Sequence, residues 1–389
     1  MNLINTAMVS LPDKAQDALM ERLMKSGRIF KTPVWEMLFR TMTFMGVDIA
    51  QLKQGFTRMK VEGINSTTMC RLIGHQNRAR AQQAENAGDP KQARDAYFQA
   101  AAFYLLSDFF LYRPEEEETN YLLAMPCFNK YSELSSPCIG KVELPYQDGA
   151  IKAYYHLPEG EGPFPAIVFT QGNEGVKELM TKWAERATAR GIAVLNGEPP
   201  GWGESGLSCT HFRGKADMQA YAKLTVDFLQ SRPEILGDQV GIFGISYGAF
   251  TSLYCAGMEN RFVAAGGIGA PYLDVDKVRK QALAAQRRKS HKISGAKSDE
   301  EHSQIMLSLE MDRVISQVQC PSLIIHGSED LVCDGPETNR QLSNTIRGPV
   351  TAKVIEGGDH LCSQFLQDWL ADYVFDWYAD HLKIRNLAG

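Results

Sequence analysis

Ser246 stands in Gly244-Ile245-Ser246-Tyr247-Gly248, behind the apolar run Val240 to Phe243 and ahead of small residues of helical character. The pattern predicts a strand, a sharp turn and a helix, with the serine at the apex. Only small residues fit beside such a turn, because a Cβ there would meet the neighbouring strand or helix. The turn lifts the Ser246 hydroxyl out of the sheet and leaves the Tyr247 N–H facing the same space. A serine so placed can attack a carbonyl if a base takes its proton, an acid orients the base and two donors hold the oxyanion. Read blandly, the same five residues are a glycine-rich strand end, so the partners decide.

In a parallel sheet each partner is expected at the carboxyl end of a strand. Leu323-Ile324-Ile325 leads into His326-Gly327-Ser328-Glu329-Asp330, which makes Asp330 the candidate acid. Glu329 and Asp334 are its rivals, and Asp330 also reads as a turn-forming cap. Val354-Ile355 leads into Glu356-Gly357-Gly358-Asp359-His360. The glycine pair lets the imidazole swing over the sheet edge, so His360 is the candidate base. The other seven histidines are poorer candidates: His326 is expected to pack in the strand-to-turn bend, and His381 lies on the last helix. The order Ser246, Asp330, His360 is that of the α/β-hydrolases.

One oxyanion donor is expected from the Tyr247 N–H and the other from the loop Gln171-Gly172-Asn173-Glu174-Gly175, where the Asn173 N–H can point into the site. Glu174 is unusual there, because a carboxylate opposes the charge that develops. Either it turns to solvent, or it is held near neutral and orients the substrate. The loop Gly197 to Ser205 is expected to pack behind the nucleophile as a structural element.

These residues need a scaffold. From about residue 138, apolar strands alternate with helices: Cys138 to Leu144 and Ile151 to Leu157 as a hairpin, then Pro165 to Thr170, Ile192 to Asn196, Val240 to Gly244, Val263 to Ile268, Leu323 to His326 and Thr351 to Ile355. The fold class is α/β, a mostly parallel, doubly wound sheet covered on both faces. Residues 136–389 form the catalytic domain, with a helical insertion near 274–319. Residues 1–135 read as a separate helical domain. Within it, Thr67 to Ala87 and Lys91 to Tyr112 form a hairpin broken at Gly88-Asp89-Pro90, with Asp89 placed to cap the second helix. Arg113-Pro114 and the run Glu115 to Glu118 read as a solvated loop. Gln364 to Leu382 is the closing helix.

Composition excludes several classes. Hydrophobic content of 44% and charged content of 22% are ordinary for a globular protein, and a net charge of −5 argues against a nucleic-acid partner. Arg287, Arg288 and Lys289 form a local basic cluster, read as a solvated helix end. Cysteines at 70, 127, 138, 209, 255, 320, 333 and 362 show no C-x-x-C spacing, so no metal site or redox pair is indicated. No apolar leader or membrane-length run occurs, and a reduced cytoplasm is expected.

Together, Gly172-Asn173-Glu174-Gly175-Val176-Lys177-Glu178, Pro200-Gly201-Trp202-Gly203-Glu204-Ser205, the serine turn and the helical N-terminus resemble the 2,6-dihydroxypseudooxynicotine hydrolase group of α/β-hydrolases. Fungal polyketide-shortening hydrolases and a bacterial polyketide-trimming lyase of anthraquinone biosynthesis belong to that group. The resemblance implies cleavage of carbon–carbon bonds next to carbonyls, no cofactor, and a homodimer. It implies a small aromatic or polyketide substrate, free or carrier-bound, in secondary metabolism. It also implies that Trp35, Phe39, Phe44, Tyr97, Tyr104 and Phe109 could line a lid, although ordinary helix packing accounts for each singly. Two rival functions remain, a carboxylester or amide hydrolase with the same three residues and a noncatalytic binding protein on the same scaffold.

Overall fold

The strands are β1 (Gly140–Tyr146), β2 (Gly149–His156), β3 (Phe164–Thr170), β4 (Ala193–Gly197), β5 (Ile235–Ile245), β6 (Ala264–Ile268), β7 (Ser322–Gly327) and β8 (Val350–Ile355). They form one sheet in the order β1-β2-β4-β3-β5-β6-β7-β8. β1 and β2 pair antiparallel, as does β2 with β4; β4, β3, β5, β6, β7 and β8 run parallel. The parallel strands therefore end together, and the loops after β3, β4, β5, β7 and β8 open at one edge. The chain in this computed structural model is described over residues 8–208, 211–271 and 282–382, so Cys209 and the first residues of the insertion lie outside the described residues.

Side chains alternate across the pleat. Val168, Leu195, Ile242 and Ile324 join Phe250, Leu253 and Tyr254 on one face. On the other, Phe169 stacks on Phe243 at 5.4 Å, and Trp183 and Phe375 pack against Phe243 at 5.6 Å each. A sheet buried on both faces explains the near-continuous apolar runs in its central strands. The Tyr378 hydroxyl donates to the Ile242 carbonyl at 2.6 Å, tying the last helix to the middle strand. That helix, Ala371–His381, is preceded by a π-turn at Leu366–Leu370, where one unbroken helix is expected from the sequence.

The described residues divide into two compact units. One holds 8–139 and 282–292; the other holds 140–271 and 293–382. The helical insertion is thus shared between them rather than belonging wholly to the sheet domain. In the first unit Asp89 caps the helix Pro90–Leu105 by accepting from the Gln92 N–H at 2.9 Å. That helix ends earlier than expected, in a 3₁₀ turn at Leu106–Asp108. The run Glu115 to Glu118 is no loop: it opens the helix Pro114–Glu133. Proline at the first helical position and acids in the first turn suit the unpaired N–H groups and positive end of a helix. The basic cluster is also no solvated end. Arg287 pairs with Asp13, and Arg288 donates to the Tyr112 carbonyl at 2.9 Å and to Asp17 at 3.1 Å.

The aromatic residues of this unit pack among themselves. Trp35 stacks on Phe110 at 5.4 Å, Phe39 lies 4.5 Å from Phe30, and the buried Tyr104 bonds His75 at 2.8 Å. Among the described residues no helix is long and apolar enough to cross a membrane.

Candidate active site

Ser246 sits between β5 and the helix Tyr247–Met258 with φ 52° and ψ −125°. A side chain in that region costs about 1–3 kcal/mol, and surrounding structure must hold it. Two close approaches do so. A Cβ at Gly244 would collide with the Gly248 carbonyl and the Thr170 hydroxyl, and one at Gly248 would collide with the Thr170 carbonyl. Glycine is therefore required at both positions. Thr170 adds a bolt by donating to the Gly248 carbonyl at 2.7 Å, and the Ser246 N–H donates to Ile268 at 2.7 Å.

The three residues expected to work together are together. The Ser246 hydroxyl donates to His360 Nε2 at 2.8 Å. His360 Nδ1–H donates to Asp330 Oδ2 at 2.7 Å, the carboxylate acceptor fixing the tautomer. Two backbone bonds join the loops after β7 and β8: Ser328 N–H to Ile355 at 2.9 Å and Glu329 N–H to Gly358 at 2.9 Å. Of the rival acids, Asp334 caps the helix Gly335–Thr345, and Glu329 is exposed. The cap reading of Asp330 also holds, since Oδ1 accepts from the Val332 and Cys333 N–H groups at 2.7 and 3.0 Å. One carboxylate closes the turn with one oxygen and faces the histidine with the other. His326 packs in the bend, donating from Nε2 to the Ala270 carbonyl at 2.8 Å.

Electrostatics favour an ionised Asp330. Burial pushes its carboxyl up, but attraction to His360 and the hydrogen bonds from His360 and Cys333 outweigh that, and its pKa ends below the ordinary value. Cys333 is a member that sequence reasoning missed. Its thiol donates to Asp330 Oδ2 at 3.1 Å. The signal was available, since a capping aspartate contacts the residue three positions on. Among the described residues, Asp330, Cys333 and His360 bring possible metal-ligating atoms within 4.8 Å of one another. Those atoms are already engaged with one another.

The expected oxyanion loop borders Ser246. A Cβ at Gly172 would lie 3.4 Å from Ser246 Cβ and 3.9 Å from Oγ. Asn173 and Glu174 follow directly, both half-buried, and the Asn173 amide donates to Glu174 at 3.2 Å. Tyr247 opens its helix, where a first-turn N–H has no intrahelical acceptor. Its ring stacks on Trp202 at 5.2 Å. The loop after β4 therefore packs against the residue that follows Ser246. What the sequence did not disclose is its charge: Lys177, Glu178, Glu198 and Glu204 converge in the interior, with Lys177 and Glu198 fully buried. A serine, imidazole and carboxylate in this order can move a proton off the hydroxyl as it attacks, while N–H groups beside it can hold an oxyanion.

Residues 69–283 match the family model for FrsA-like esterases, and residues 185–385 match that of the prolyl oligopeptidase family. The 2,6-dihydropseudooxynicotine hydrolase of Paenarthrobacter nicotinovorans is 26% identical over 275 residues, 68% of this chain and 72% of its own. Esterase FrsA of Vibrio cholerae is 24% identical over 204 residues, 52% of this chain and 47% of its own, so the match spans about half of that relative's length. Thiohydrolase aneE of Aspergillus aculeatus is 31% identical over 123 residues, 31% of this chain and 38% of its own. The crystal structure of the 2,6-dihydroxy-pseudo-oxynicotine hydrolase aligns with a TM-score of 0.79 at 24% identity, over 88% of this chain and 95% of that one. The likeness gives the α/β-hydrolase fold, as the serine turn and strand rhythm predict.

Proposed function

The chain belongs to the FrsA-like esterase and prolyl oligopeptidase families of α/β-hydrolases, and from that membership we propose that it cleaves a carbon–carbon bond in an aromatic or polyketide-like 1,3-diketone through an acyl-enzyme on Ser246. The observation that carries this reading is the hydrogen-bonded chain from the Ser246 hydroxyl through His360 to Asp330, at 2.8 and 2.7 Å. The choice of a carbon leaving group is supported by the resemblance in the Gly172 to Glu178 loop and by the pseudooxynicotine hydrolase that spans 68% of the chain.

The steps balance without a cofactor. Ser246 Oγ bonds to one carbonyl carbon while His360 Nε2 takes the hydroxyl proton. The N–H groups of Tyr247 and Asn173 hold the oxyanion, and Glu174 orients the substrate from the same loop. Collapse restores the carbonyl and breaks the bond to the neighbouring carbon. That carbon leaves as an enolate, stabilised by the second carbonyl, and takes the proton from His360. Water, activated by His360, then releases a carboxylic acid and regenerates Ser246. An internal carbon nucleophile in place of water would close a ring.

The test is turnover of a synthetic aryl 1,3-diketone in H₂¹⁸O beside p-nitrophenyl acetate. One ¹⁸O in the released acid and a kcat/KM above that of the ester are expected, with both activities falling by about 10⁶-fold in Ser246→Ala. Full activity in Ser246→Ala would remove the mechanism. A second reading, carboxylester hydrolysis, is favoured by the match to FrsA-like esterases. Ester turnover orders of magnitude above any diketone would establish it instead.

A further inference from the structure

Lys177, Glu178, Glu198 and Glu204 form a buried cluster of one cation and three carboxylates. Lys177 Nζ lies 2.6 Å from Glu178, 2.8 Å from Glu204 and 3.3 Å from Glu198. It also sits 5.1 Å above the Tyr154 ring. A buried ion cluster is a weak stabiliser, because desolvation offsets most of the attraction, and apolar residues of the same volume often serve as well. Its directional bonds are the more informative feature.

Glu198 ties two loops with two oxygens. Oε1 accepts from the Lys177 backbone N–H at 3.1 Å. Oε2 accepts from the Glu204 N–H at 2.8 Å and the Ser205 N–H at 3.4 Å, besides Lys177 Nζ. The first tie holds the loop after β3 four residues beyond Asn173. Asn196 reinforces it by donating to the Lys177 carbonyl at 2.6 Å. The second tie closes the turn 199–204, which carries Trp202 onto the ring of Tyr247 at 5.2 Å. Gly203 rests directly on the Glu198 carboxylate, and the Ser205 hydroxyl donates to the Glu198 carbonyl at 2.9 Å. We propose that Glu198 is a positioning residue whose carboxylate, held by Lys177, fixes the Asn173 and Tyr247 N–H groups in register with Ser246. This rests on the reading of those two groups as the oxyanion donors.

Burial and hydrogen bonding pull the charge state of Glu198 in opposite directions. Burial pushes Glu198 up to about 7 against the pull of Lys177, and burial raises Glu178 also. Glu204 stays below the ordinary value because Lys177 and Lys141 outweigh its burial. Both oxygens of Glu198 face N–H groups, so the carboxylate form fits and a proton there would displace a bond. Glu178 has a buried oxygen without a partner among the described residues and is the better place for a shared proton.

Three proteins test this: wild type, Glu198→Gln and Glu198→Asp, with p-nitrophenyl acetate as substrate and phenylboronic acid as tetrahedral analogue. Glutamine keeps the shape but turns an NH₂ toward an N–H. The expected result for Glu198→Gln is a folded enzyme with KM within about threefold of wild type. Its kcat should be lower by about 10²-fold, the usual cost of a misplaced oxyanion donor, with boronate affinity falling in parallel. Glu198→Asp should recover part of both. A change in KM alone, unchanged kcat, or loss of kcat without loss of boronate affinity overturns the proposal. So does failure of both variants to fold, because the cluster would then serve folding rather than rate. Wild type is first treated with a fluorophosphonate. No labelling of Ser246 would defeat the nucleophile reading itself, whereas labelled wild type with a fully active Glu198→Gln would defeat only the positioning role.

Discussion

Asp330 and Asp108 are both buried carboxylates, one in the sheet unit and one in the helical unit, and their acidities move in opposite directions. Burial pushes both up. At Asp330 the imidazole of His360, the Cys333 thiol and two backbone N–H groups answer that penalty, and the pKa ends below its ordinary value. At Asp108 one oxygen accepts from Asn120 at 2.6 Å and the other has no hydrogen-bond partner among the described residues. Attraction to Lys289 and Arg71 is partly cancelled by Glu117, and the carboxyl is pushed from 3.8 up to about 6. Equal burial thus yields an anion in one place and a reluctant acid in the other. The number and aim of the donors make the difference.

The strongest way to break this contrast is Asp330→Asn. The amide cannot accept from His360 Nδ1–H while also presenting the right oxygen to the turn, so the imidazole takes the wrong tautomer. kcat for p-nitrophenyl acetate is expected to fall by about 10⁴-fold with the fold retained by circular dichroism. A loss under tenfold would show that His360 is held by other contacts.

The reverse experiment is Asp108→Asn. A folded pKa above the unfolded one means that this group's stabilisation is full below about pH 4 and is lost as pH rises through about 6. Wild type should therefore lose on the order of 2 kcal/mol between those limits from this group alone. Urea unfolding of the variant should show a flatter pH profile across that window. Superimposable profiles would mean that Asp108 is as acidic as a surface aspartate.

The mildest change removes one donor from Asp330. Cys333→Ala should lower kcat/KM by about fivefold, matching the ~1 kcal/mol of one weak bond to a charge, and Cys333→Ser should restore it. Equal rates in all three would leave the thiol a bystander.

The sequence made the Ser246 turn and the strand ends before Asp330 and His360 legible because backbone sterics and strand periodicity act locally. Tyr247 and Gly172 followed from the same logic. The charged cluster did not. Lys177 and Glu178 entered only as the end of the Gly172 to Glu178 motif, and nothing local to them says that they meet Glu198 and Glu204 in the interior. The run Glu115 to Glu118 failed differently. Its charge suggested solvent, while Pro114 and the acids together spell a helix start. Burial partners are long-range facts, and a local pattern carries them only when, as at Asp89, the partner is three residues away.

The tight contacts at Gly244 and Gly248 have a consequence for descent. Neither position accepts even a methyl group, so the ground beneath Ser246 is closed to drift. Variation that retunes this chain for new molecules must accumulate elsewhere, away from the turn 244–248 and the strand end at Thr170 and Gln171 that meets it. A lineage built on this turn can change what it cuts far more readily than how it cuts.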